Sequence, residues 1–135
     1  MITILLVCDD PLQASLMMSL LGRQFGNVCR VSDAAEALCL IEQPDFAGKL
    51  GLVISAHHTP GIGVSVFVAE LRTRMPRVPV LILGPAEAVP PGSEYQDEGV
   101  VYLSRQVGGE KMLAVTGQML SERKSVAAEG SKSFG

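Results

Sequence analysis

Two carboxylates in succession, Asp9-Asp10, close an apolar run and precede a proline; they are the first residues here whose types could do chemistry. Adjacent acids either hold a hard cation or cap a helix, and both readings stay open at this point. A second cluster, Ala56-His57-His58, follows another apolar run. With Cys8 those histidines supply imidazole and thiol, the ligand types a transition ion favours. Neighbouring histidines on a loop rarely converge on one centre, so they read as loop residues. Cys8 closes an apolar run and reads as a buried, inert thiol.

Placing these groups falls to a regular alternation of elements. Ile2 to Cys8 is apolar without alternation, the pattern of a parallel strand buried on both faces. Asp10-Pro11 is a helix start, with Asp10 as N-cap and Pro11 first in the helix. Leu16, Met17, Leu20 and Leu21 then repeat at helical spacing until Phe25-Gly26. Val28-Cys29-Arg30-Val31 is short and more alternating, which fits an edge strand. Ser32 or Asp33 caps a second helix with Ala34, Ala37, Leu38 and Ile41 on its buried stripe. Gln43-Pro44 ends it, because the residue before proline is pushed out of helical geometry.

Leu52 to Ala56 is a third strand. Val64, Phe67, Val68 and Leu71 share one face of the helix that follows, and Arg72, Arg74 and Arg77 read as complementing its negative end rather than as a docking patch. Val78 to Leu83 and Val100 to Leu103 are the fourth and fifth strands. Between them Pro85, Pro90, Pro91 and Gly92 interrupt the place where a fourth helix is due, leaving at best a short one between Ser93 and Glu98. A last helix runs from about Gly109 to Glu122, with Met112, Leu113, Thr116, Met119 and Leu120 inward. Residues 123–135 are polar and small and read as a flexible linker or tail after a single domain over 1–122.

Five strands alternating with helices predict a three-layer α/β fold of the flavodoxin-like kind. Its parallel sheet has order 2-1-3-4-5, and its fourth helix is degenerate. That order opens a crevice between the carboxyl ends of the first and third strands, where Cys8, Asp9 and Asp10 face Ala56.

The segments Ile4 to Leu12, Gly51 to Gly61, Pro79 to Gly84 and Tyr102 to Gln106 together resemble the receiver domain of bacterial response regulators, over roughly residues 2 to 122. The resemblance implies an acidic pair that holds Mg²⁺, an aspartate nucleophile, a Ser or Thr that bonds the phosphoryl group and a lysine that neutralises it. A carboxylate attacks phosphorus only when metal and cation offset the charge brought together. This sequence departs at most of these positions. Cys8 replaces the first acid, Asp9 matches the second, and Asp10 matches the acid that often follows. Ala56 occupies the phosphoacceptor position, Gly84 that of the switch hydroxyl, and Arg105-Gln106 that of lysine–proline. A methyl group cannot be phosphorylated.

The resemblance therefore implies a pseudo-receiver with no catalytic residue and no cofactor. Its degenerate pocket comprises Cys8, Asp9, Asp10, Ala56, Gly84 and Arg105. Asp9 and Asp10 are at most a weak remnant of a metal site, since Ala56 removes a main oxygen ligand. Arg105 is expected to reach Asp9 or Asp10 and close the pocket.

Composition narrows the partners. Eleven basic against fourteen acidic side chains leave a net charge of −3, so no positive field draws the chain to nucleic acid or anionic lipid. Cys8, Cys29 and Cys39 have no paired spacing and suggest neither a disulfide framework nor a zinc knuckle. The opening run is too short for a signal peptide or a span, so a cytoplasmic protein is expected.

The expected function is a phosphorylation-independent regulatory module of a two-component or phosphorelay pathway, non-enzymatic, acting through a protein partner or an output domain such as a transcription regulator. It is a possible homodimer through the face around Val100 to Leu120. One rival is a receiver phosphorylated elsewhere, at Asp10 or His57. Another is the receiver-like domain of a pilus-assembly or septum-site ATPase. A nucleotide binder is disfavoured, since no glycine-rich phosphate loop follows the first strand.

Overall fold

Strand β1 (Thr3–Val7) shows why its sequence lacks polar alternation. Ile4 and Leu6 point to one side of the sheet and Leu5 and Val7 to the other, and all four are at most 1% exposed. The computed structural model describes residues 2–56, 62–84, 99–104 and 108–134, with side chains through Ser121. In chain order the elements after β1 are α1 (Pro11–Phe25), β2 (Asn27–Val31), α2 (Ala34–Ile41), α3 (Pro44–Lys49), β3 (Leu50–Ala56), α4 (Val64–Arg74), β4 (Val80–Gly84), β5 (Val100–Ser104) and α5 (Gly109–Phe134). All strand pairings are parallel and the order is β2-β1-β3-β4-β5, the flavodoxin-like arrangement the sequence predicts. The edge strands β2 and β5 are mostly half-buried, whereas β3 and β4 are buried nearly throughout.

Two cores sandwich the sheet. On one side α2 and α4 bring Ala37, Leu38, Ile41, Phe67 and Leu71 against Leu5, Val7, Val53 and Ile82. On the other, α1 and α5 bring Met17, Leu21, Met112 and Met119 against Ile4, Leu6, Leu52, Ile54 and Leu81. Thr116 is buried on α5 and donates its hydroxyl to the Met112 carbonyl at 2.8 Å, so burial leaves it satisfied.

The caps follow the sequence. Asp10 Oδ1 accepts the backbone N–H of Leu12 at 3.0 Å and of Gln13 at 3.4 Å, Pro11 opens the first turn, and Gly26 closes α1 at φ 93°. Of the two candidates for the second cap, Asp33 is the one used, accepting from Glu36 N at 2.8 Å. The arginines that end α4 do more than complement its dipole. Arg72 Nη1 donates to the carbonyls of Met75 at 3.3 Å and Val78 at 2.6 Å, tying the helix end to the approach of β4. Arg74 bridges Glu70 at 2.8 Å and Glu42 at 3.1 Å.

Two boundaries differ from expectation. Pro44 does not merely stop α2, which ends at Ile41; it starts the short helix α3, because a missing N–H costs nothing in a first turn. The backbone of α5 continues past Glu122 to Phe134, through a stretch that holds no proline and several good helix formers, Glu122, Arg123, Lys124, Ala127 and Ala128 among them. The expected degenerate fourth helix falls between Pro85 and Glu98, outside the described residues. Among the described residues, no helix is long and apolar enough to cross a membrane.

Candidate functional site

The carboxyl ends of β1, β3 and β4 lie side by side. Val7 is in register with Ser55 and Ala56 with Leu83, so Cys8, Ala56 and Gly84 come at the ends of three adjacent strands. The chain runs from β1 to β2 on one side and has β3 on the other, which makes the gap between β1 and β3 the switch point where such sheets hold ligands. A cavity of about 300 Å³ opens there, with Cys8, Asp9, Asp10, Gln13, Ala56 and Leu83 among its lining. Four of the expected pocket residues thus meet: Cys8, Asp9, Asp10 and Ala56. Gly84 ends the neighbouring strand without being part of the described lining. Arg105, Gln106, His57 and His58 lie outside the described residues, and so does the expected contact of Arg105 with the acids.

Each residue of the β1–α1 turn is held differently. Cys8 is 5% exposed; its N–H donates to Val31 O at 3.0 Å and its Sγ lies 3.6 Å from the Asp10 carbonyl oxygen. Asp10 is tied by its cap bonds to the first turn of α1. Asp9 is exposed, and no described residue pairs with its carboxylate. Arg30, which the sequence reading passed over, reaches from β2 and donates both Nε (3.1 Å) and Nη2 (2.9 Å) to the Cys8 carbonyl oxygen. A long cation one residue short of the end of an edge strand is a usable signal only once the β1–β2 register, Leu6 against Arg30, is known.

Among the described residues, the donor set does not fit the Mg²⁺ that the resemblance implies. A hard divalent cation needs several convergent oxygens. Ala56 offers none from its side chain, Cys8 offers sulfur, and Asp10 Oδ1 already accepts two backbone N–H groups. Among the described residues, no group of three or more His, Cys, Asp or Glu side chains is placed to hold a metal ion.

No family model matches the sequence, and no curated protein matches it. Solved structures do. A structure described as adenylate cyclase from Rhodopirellula baltica superposes with a TM-score of 0.83 at 21% identity, over 96% of this chain and 94% of that one. A response regulator receiver domain protein from Clostridium thermocellum gives 0.80 at 18%, over 93% and 99%. A probable two-component response regulator/GGDEF domain protein gives 0.79 at 22%, over 91% of this chain and 50% of its own. At these identities what is shared is the fold, and the fold of this chain is that of a response-regulator receiver domain.

Proposed function

We propose that this chain is a receiver-like regulatory module of signal transduction that works without phosphorylation, through contact with a protein partner, an output domain or a second copy of itself. The observation that carries this reading is Ala56. It stands at the carboxyl end of β3, across the cavity from Asp9 and Asp10, where the resemblance puts the phosphoacceptor. Phosphoryl transfer to a carboxylate needs the nucleophile, a metal and a neutralising cation together. Among the described residues that line this crevice, a methyl group stands at the phosphoacceptor position and a thiol at that of the first acid, which supports the reading. That one receiver-fold neighbour is a GGDEF domain protein, of which this chain matches half, supports a module that acts on an attached or separate partner.

Incubation with acetyl phosphate and Mg²⁺ followed by intact mass measurement tests the reading. The mass is expected to stay unchanged. A single phosphate adduct would sink the proposal and favour phosphorylation at Asp10 or His57, which peptide mapping would distinguish. Light scattering over a concentration series tests the second-copy form of contact.

A further inference from the structure

The crevice presents two kinds of surface at once. Met17, Leu83 and the Ala56 methyl give it an apolar wall, while Asp9 and Asp10 stand exposed on its lining. The two acids are not equivalent. Asp10 caps α1, so its charge is offset by the positive end of the helix dipole. Asp9 carries no such contact, and Arg30 puts its guanidinium on the Cys8 carbonyl oxygen and on neither carboxylate. Among the described residues, the uncompensated charge of the pocket is therefore that of Asp9, beside a wall of sulfur and aliphatic carbon. At about 300 Å³ the cavity stands at the small end of ligand sites, which run from roughly 300 to 1,000 Å³.

We propose that this cavity binds a small organic cation, a primary ammonium on a compact aryl or branched alkyl body, with the ammonium on Asp9 and the body against Met17, Leu83 and Ala56. The inference rests on the proposed function in one respect: the methyl at position 56, which rules out a phosphoryl adduct there, is also what makes the wall apolar. A ligand of this class gives the module an input in place of phosphorylation.

Benzylamine, benzyl alcohol and benzoate share a ring and differ in charge. Each is titrated into the full chain while the NMR signals of Cys8, Asp10, Gln13, Met17, Ala56 and Leu83 are followed. Benzylamine is expected to give saturable shifts at these residues, with an affinity about fivefold above benzyl alcohol, the upper range for an exposed charge pair. Benzoate is expected to give none. Asp9→Asn should bring benzylamine down to the level of the alcohol without changing the melting temperature, since Asp9 is exposed. Ala56→Phe, or Ala56→Leu if the first does not fold, should abolish saturation by filling the cavity.

Equal binding of amine and alcohol, unchanged in Asp9→Asn, overturns the ligand class. Absence of saturable shifts with every probe, or shifts that persist in a folded Ala56 variant, overturns the site. The mass measurement with acetyl phosphate reads the proposed function separately: an unchanged mass with no amine binding removes this inference alone.

Discussion

The two faces of the sheet are built to different standards of packing. The face under α2 and α4 is filled by Phe67, Leu71, Leu38 and Ile41 against β-branched and Leu side chains, and the Arg74 bridges to Glu42 and Glu70 clasp it from outside. The face under α1 and α5 is filled by Leu21 together with three methionines, Met17, Met112 and Met119. It holds the crevice and a second cavity of about 150 Å³ between α1 and α5, and its outer helix leaves Leu12 and Leu16 75% and 62% exposed. Thioether side chains adapt to irregular gaps, whereas branched and aromatic side chains interlock in fixed rotamers. The face richer in methionine is the one that carries the crevice.

Truncation should expose that asymmetry. Phe67→Ala, at a fully buried side chain, is expected to cost about 3–5 kcal/mol in urea unfolding, and Met17→Ala, beside both cavities, about 2 kcal/mol. Equal costs would break the comparison. Arg30→Gln removes the two bonds to the Cys8 carbonyl and should cost roughly 1.5 kcal/mol, with the largest amide shifts at Cys8, Asp9 and Asp10. Asp10→Ala loses the α1 cap and should cost about 1 kcal/mol, raising hydrogen exchange in the first turn of α1 and leaving α4 unaffected. Smallest of all, Glu42→Gln removes one exposed partner of Arg74 and should leave the unfolding midpoint within error, more so at high salt.

Legibility followed the range of the physics. The strands and the two caps were readable because buried parallel strands need unbroken apolar runs and because Asp10 and Asp33 act on N–H groups two or three residues away. The inner stripe of α5 was readable for the same local reason, since Met112, Thr116 and Met119 recur at helical spacing and are buried. Pro44 misled because one residue both ends a helix and begins one, and the choice depends on where the chain must turn to reach β3. The role of Arg30 was not readable, because its partner lies 22 positions away in sequence on a neighbouring strand.

By itself the sequence determined which side chains exist at the ends of the strands: that position 56 carries only a methyl group, and that two acids follow Cys8. Chemistry absent from a side chain cannot be supplied by folding. The strand order that the alternation of elements predicts already sets this methyl opposite those acids; only the tertiary structure decided the size of the cavity between them, and that Arg30 is bound to the β1 carbonyl end rather than to either acid. Register and side-chain packing set those distances, and both arise from long-range contacts that no local pattern encodes.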